Sequence, residues 1–438
     1  MQSPRLRLFP ALALAAGLAC AAAPLARADE ATRTTDFLAS LGVNTHLNYT
    51  DGTYASYQRV IADLDYLGIH HLRDWTPNPD GGIPYRNYLT ALDAAAAAGN
   101  RFDFITSPEQ PLGTTIDQLS AVARAHPGAV FAVEGPNETN NNPSTYKGMH
   151  GMAASLAYQR DLYRTVHGWA PLRHASVYYY TGFDPAPSLA GLADYANSHP
   201  YSERGEQPAG ALARGFGLFK MAAPYPKVVT EAGYFDVPGA QNGVDDATQA
   251  KDTLNLYLDA FAQGAAETYV YQLVSAYPDQ GRDTQSGLFR MDHTPKPAAT
   301  AIHNLTTLLA DRGRRGFRPG TLDYVLGNLP ATGDQLLLEK SSGAYDLILW
   351  AEPPNWNDVT HREITGATTP VTVTFPDVSA DVAIYDPTLG LKPLRRERDV
   401  DGVTIALRDH PVIIEVRPTR RHVLTAESAA GPHGGDEN

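Results

Sequence analysis

Between residues 41 and 309 the chain alternates short apolar runs with stretches in which apolar residues recur every three or four positions. That alternation marks repeated strand–helix units around a parallel sheet, because a helix must carry the chain back to the start of each next parallel strand. Eight runs read as strands: 42–46, 70–74, 102–106, 130–134, 175–179, 195–199, 228–231 and 268–273. Each is expected to lead into a helix. In the first, Tyr57, Val60, Ile61, Leu64 and Leu67 share one face and Gly68 supplies the stop. The second, around 88–98, is alanine-rich and ends at Gly99-Asn100, where a left-handed cap is wanted; the seventh, 245–263, begins with acids and ends at Gly264. Eight units predict an α/β fold of the closed (β/α)8 TIM-barrel type rather than an open doubly wound sheet.

The pattern changes at Asp311-Arg312-Gly313-Arg314-Arg315-Gly316, a polar join. Beyond it, 336–340, 345–350, 371–375, 382–385, 403–407 and 412–416 are short, rich in β-branched residues and separated by turn formers, which predicts a C-terminal antiparallel β-sandwich. At the other end, Arg5 and Arg7 precede an apolar run over 11–23, and Ala26-Arg27-Ala28 offers a small-x-small cleavage site. The expected division is a signal peptide at 1–28, a barrel at 29–312, a sandwich at 317–418 and a disordered tail at 419–438.

These features imply a secreted or periplasmic protein. Cys20 is the sole cysteine and lies inside the signal, so no disulfide and no thiolate chemistry is expected after export. A lipid anchor on Cys20 is the weaker reading, since Gly17 stands where an aliphatic residue is wanted. No later run approaches the roughly 20 apolar residues of a membrane span. Residues 1–28 carry three arginines and no acid, so their removal takes the formal charge from −13 to −16. Nucleic acid and anionic membranes are therefore not expected partners. Nothing in the sequence bears on oligomeric state.

In such a barrel the chemistry sits where strands end at the C-terminal face. Two glutamates stand there: the fourth strand runs out through Gly135-Pro136-Asn137-Glu138, the seventh through Thr230-Glu231-Ala232-Gly233. Cleaving a glycosidic bond with retention needs one carboxyl to protonate the leaving oxygen and another to attack the anomeric carbon, about 5 Å apart. Three intervening units account for the 93 residues between Glu138 and Glu231. An isolated carboxylate at such a place also serves as a helix cap or in a salt bridge.

These two motifs resemble the acid/base and nucleophile motifs of the clan of retaining glycosidases with glutamates on barrel strands four and seven, with glycoside hydrolase family 39 and its relatives the most similar. The resemblance implies Glu138 as acid/base and Glu231 as nucleophile, a poly- or oligosaccharide substrate, and no cofactor. It further implies that Arg73 hydrogen-bonds the nucleophile, that Asn137 contacts the sugar 2-hydroxyl, and that Tyr201 orients the nucleophile with His199 as an auxiliary contact. Arg73 could instead pair with Asp74, and Tyr201 could be a packed loop aromatic. The clan's tryptophan at the end of strand eight is missing here; Tyr271 or Tyr277 would take its place. Trp75 and His46, also at strand ends, complete the candidate sugar contacts, with Tyr49, the run Tyr178-Tyr179-Tyr180 and Tyr234 as further aromatics near the mouth.

The scattered histidines, His70, His71, His150 and His174 among them, show no paired-ligand spacing on a helix, so no catalytic metal is expected. A structural calcium among Asp279, Asp283 and Asp292 is conceivable. The rival reading is a carbohydrate-binding barrel without catalysis, against which the conjunction of both glutamates with Arg73 argues.

Overall fold

The computed structural model describes residues 25–79, 85–182, 188–219, 225–279, 281–313 and 316–421. The expected signal peptide up to residue 24 and the tail from 422 lie outside them.

Eight parallel strands, Leu41–Asn44, His71–Trp75, Arg101–Ile105, Val130–Glu134, Ser176–Tyr178, Ala196–Ser198, Lys227–Ala232 and Ala265–Val270, pair in chain order, with the eighth against the first. A parallel bridge between Tyr178 and Tyr195, with the Tyr179 N–H donating to the Tyr195 carbonyl at 3.0 Å, closes the ring between the fifth and sixth. The fold is a (β/α)8 barrel.

The helices follow the periodicity. Tyr57–Leu67 buries Val60, Leu64 and Leu67 and stops at Gly68, whose φ of 68° is the left-handed conformation a Cβ disfavours. Asp246–Ala262 starts under an Asp245 carboxylate that accepts the Thr248 N–H at 2.8 Å. One expectation fails, because no helix separates the fifth and sixth strands among the described residues. Tyr179, Tyr180, Ala193, Ala196 and Phe219 instead form a separate buried cluster over that stretch. Gln159, from the helix Met152–Gly168, supplies the polar partners a packed helix would not: its amide donates to the Tyr178 and Leu192 carbonyls and its oxygen accepts the Tyr180 N–H.

The second layer is a β-sandwich of a four-stranded sheet, Leu25–Glu30, Thr321–Gly327, Thr369–Thr374 and Gly402–Leu407, and a six-stranded one. The latter orders Thr32–Arg33, Gly333–Glu339, Tyr345–Ala351, Val412–Arg421, Val378–Tyr385 and Arg395–Val400. Both sheets thus take a strand from the N-terminal segment, ahead of the barrel. Cleavage after Ala28 would leave Asp29 and Glu30 paired with Leu322 and Thr321. The last strand continues to Arg421, past the expected start of the tail.

Sandwich and barrel share apolar core. Leu338, Ile348, Trp350, Ala383, Tyr385 and Ile413 pack in one cluster with barrel helices, and the Trp350 indole N–H donates to Asp259 at 2.8 Å. Trp356, from the sandwich loop, lies on Gly205 so closely that a Cβ there would sit 2.3 Å from its ring. The sandwich thereby braces the loop that follows the sixth barrel strand.

Candidate active site

Arg73, on the second strand and 1% exposed, organises the C-terminal mouth of the barrel. A guanidinium carries five N–H donors in a rigid fork, and here each has an acceptor. Nε and Nη2 grip the Glu134 carboxyl at 2.7 and 3.0 Å; Nη1 reaches Asn44 at 2.9 Å and Glu231 at 2.8 Å; Nη2 also reaches Asn137 at 2.7 Å. Arg73 does not pair with Asp74, whose oxygens accept instead from Thr45 Oγ1 and the Leu47 and Trp75 N–H groups. Asn44 is oriented by its own amide, which donates to the Thr230 and Tyr269 carbonyls.

Glu231, on the seventh strand, also accepts the Tyr201 hydroxyl at 2.7 Å. Burial pushes its carboxyl up, but the charges of His199 and Arg73 and the Tyr201 hydrogen bond outweigh it and hold the group below its ordinary value. Both Glu231 oxygens are thus held in place, Oε1 by Tyr201 and Oε2 by Arg73, which fixes the carboxyl in direction.

Glu138 follows the fourth strand with a φ of 44°, unusual for a residue with a side chain. Its N–H donates to Thr181 Oγ1 at 2.8 Å and its carboxylate meets His199 Nδ1 at 3.0 Å and the Asn141 amide at 3.0 Å. The His199 hydrogen bond, opposed by burial and helped by the charges of His199 and Arg73, brings Glu138 down to about 2.

His199 links the two carboxyls, with Nδ1 also 3.9 Å from Glu231. Its tautomer follows from its neighbours. The Asn197 amide donates to the Tyr179 carbonyl, so the Asn197 oxygen accepts, taking the Thr230 hydroxyl proton at 2.9 Å. Thr230 Oγ1 is then left to accept from His199 Nε2 at 3.0 Å.

Oxygens of Glu138 and Glu231 and a ring nitrogen of His199 lie within 4.8 Å of one another, a spacing that could also ligate a cation. Sequence spacing gave no sign of this trio because its members come from three different strands. The positive charge in contact with Glu231 is supplied by Arg73. Of the acids considered for calcium, Asp279 accepts from Thr284 and the Gly281 N–H, and Asp292 from Thr294, in local turns; the Asp283 side chain lies outside the described residues.

A second group adjoins the first. His46 Nε2 meets the Tyr271 hydroxyl at 3.1 Å and the ring stacks on Tyr49 at 4.3 Å. Burial lowers His46 to about 4, with Glu231 opposing and Arg73 assisting, so it is neutral at physiological pH. The peptide bond between Tyr271 and Gln272 is cis. Tyr277 donates to Asp51 and leans on Tyr49. Trp75 is half-buried and walls a cavity of about 750 Å³ that flanks the site. Asn137 and Asn141 share that wall but neither carboxylate does, so the cavity is a flank of the cluster and not its centre.

Glu138, Glu231, Arg73, Asn137, His199 and Tyr201 therefore come together at one mouth, with His46, Tyr271 and Trp75 beside them, whereas Tyr178, Tyr179, Tyr180 and Tyr234 are buried in separate apolar clusters and do not line it. Sequence reasoning passed over Asn44, Glu134, Thr230, Asn197 and Asn141. Glu134 and Asp103 did carry a signal, as acids inside apolar strand runs. Burial and the neighbouring Glu134 push Asp103 well above the carboxylate range, with Arg73 opposing.

No protein-family model matches the chain, and no curated protein matches it in sequence. Solved structures do. A family 39 glycoside hydrolase from the gut symbiont Bacteroides cellulosilyticus WH2 gives a TM-score of 0.58 at 15% identity, covering 87% of this chain and 82% of that one. The fold is that of family 39 glycoside hydrolases. A monomeric β-xylosidase from Caulobacter crescentus CB15 gives 0.58 at 14% identity over 90% of this chain and 98% of its own. A 4-O-α-L-rhamnosyl-β-D-glucuronidase from Fusarium oxysporum 12S gives 0.53 at 13% over 90% and 97%. Barrel and sandwich together are thus shared with glycoside hydrolases, at identities that speak to fold.

Proposed function

We propose that the chain is an exported retaining glycoside hydrolase, with Glu231 as nucleophile and Glu138 as acid/base. The observation that carries this reading is that an oxygen of Glu138, an oxygen of Glu231 and a ring nitrogen of His199 lie within 4.8 Å of one another, with Glu231 held by Arg73 and Tyr201. Retention goes with carboxyls about 5 Å apart, inversion with about 6.5–9.5 Å.

In the first step a Glu231 oxygen attacks the anomeric carbon as the bond to the leaving oxygen breaks. The leaving oxygen takes a proton from the Glu138–His199 pair. A carboxyl held near 2 is by itself ionised at neutral pH, so the proton it hands on has to reach it through a neighbour, and His199 Nδ1 is hydrogen-bonded to it at 3.0 Å. In the second step water gives a proton to Glu138 and attacks the same carbon, which frees Glu231. Asn137, anchored by Arg73, is placed to meet the sugar 2-hydroxyl. Structural neighbours named as xylosidase and glucuronidase support glycoside cleavage on this scaffold.

The test is a screen of the exported protein on plant and bacterial polysaccharides beside Glu138→Gln and Glu231→Gln. Sugar release that collapses in both variants is the expected result. Release indifferent to both glutamates overturns the assignment, and binding without release by the wild type returns the chain to the carbohydrate-binding reading.

A further inference from the structure

We propose that the sugar seated between Glu138 and Glu231 is uncharged, so that the substrates are neutral glycosides and neither uronic acid nor amino sugar glycosides. This inference rests on the glycosidase reading of the site and names its substrate class.

A uronate drawn into a partly buried site needs a cation facing its carboxylate. Arg73 is the only arginine or lysine among the described residues that bonds either catalytic carboxylate, and its five N–H groups all serve Glu134, Asn44, Glu231 and Asn137. No donor is left for a ligand. The loops at the C-terminal face are equally poor in positive charge. Those after barrel strands one, two, three, five and seven contain no lysine or arginine at all. In the remaining loops Lys147 pairs with Asp161, Arg204 faces Asp358, Arg290 pairs with Asp246 and Lys296 pairs with Asp236. The side chain of Arg282, in the eighth loop, lies outside the described residues.

The flanking cavity has matching chemistry. Among the described residues its wall holds no lysine, arginine or histidine and one acid, Glu109. The rest of its polar character comes chiefly from amides, Asn78, Gln110, Asn137, Asn141 and Asn142, beside Trp75. An amide offers both donor and acceptor, which suits a hydroxyl that is itself both, while an aromatic face suits the apolar face of a pyranose ring. An ammonium on the central sugar would require a carboxylate there, and the two at the centre are already bonded to Arg73, Tyr201, His199 and Asn141, while Glu109 lies in the flanking wall.

Two readouts test this. The first is kcat/KM on a panel of aryl glycosides in both anomers: xylosides, glucosides and galactosides against glucuronides, galacturonides and glucosaminides. The second is calorimetry of neutral, uronic and amino oligosaccharides with Glu231→Gln. Neutral glycosides are expected to exceed the charged ones at least about 100-fold, with the same order in binding. A charged glycoside cleaved within tenfold of the best neutral one overturns the substrate class, and if that cleavage is lost in Glu231→Gln the hydrolase reading stands. If nothing is cleaved, the hydrolase reading fails and calorimetry alone decides: neutral binding supports the class, while uronic binding, amino sugar binding or no binding overturns it.

Discussion

Replacing Arg73 with lysine keeps the positive charge and removes the fork. The guanidinium makes five hydrogen bonds, two to Glu134 and one each to Asn44, Glu231 and Asn137, from a position that is 1% exposed. An ammonium has three donors, so at least two acceptors lose their partner. A hydrogen bond to a charged group is worth about 1.5–3 kcal/mol net, and breaking a buried ion pair costs about 3–5 kcal/mol. Two lost bonds therefore predict a destabilisation of roughly 3–6 kcal/mol for Arg73→Lys. Guanidinium unfolding followed by tryptophan fluorescence reads it as a lower midpoint at unchanged slope. Because Arg73 also steers Glu231, turnover should fall in the fraction that stays folded. Adding Glu134→Gln should cost less than the sum of the two single changes, since they share contacts. A loss under about 1 kcal/mol with turnover intact would refute the idea that this fork organises the site.

His410 sits between Asp386 and Asp409 at 3.0 and 2.8 Å, and although burial opposes its charge the two carboxylates raise it to about 9. Its folded value lies above the unfolded value of about 6.5, so the stabilisation is complete below pH 6.5 and fades as pH climbs to 9, by about 3 kcal/mol. Melting curves across that window should decline in the wild type and flatten in His410→Gln. For His199→Asn, kcat/KM should drop about 100-fold on glycosides with basic leaving groups and far less on dinitrophenyl glycosides, which need no proton; an equal drop on both would remove His199 from proton delivery. In Gly42→Ala the new Cβ would lie 2.4 Å from the Tyr269 ring, which predicts a loss of about 1–3 kcal/mol in the same unfolding assay. Trp75→Ala should raise KM on oligosaccharides more than it lowers kcat, a split read directly from initial rates.

The barrel was legible because its signals are local. A face of Val60, Leu64 and Leu67 with Gly68 behind it, or Asp245 ahead of an amphipathic run, specifies a helix and its ends without reference to the rest of the chain. Where structure depends on distant partners, the sequence misled. The segment from 179 to 195 reads as strand, helix, strand, yet Gln159 and the tyrosine cluster allow the chain to cross there without a helix among the described residues. Leu25–Glu30 reads as the end of a signal, yet it pairs with Thr321–Gly327 almost 300 residues on. Arg395–Val400, with five charged residues in six, has no apolar alternation because it is the exposed edge of its sheet. The site divides in the same way. Strand ends pointed to Glu138, Glu231 and Arg73, whereas the links from Asn197 through Thr230 to His199 join residues about 30 apart whose identities carry no motif.

The most direct test of the central claim is the anomeric configuration of the first sugar released, read by proton NMR before mutarotation. With the carboxylates and His199 within 4.8 Å of one another, the account predicts retention of configuration. Release with inversion would mean that water, not Glu231, attacks the anomeric carbon, and would contradict it.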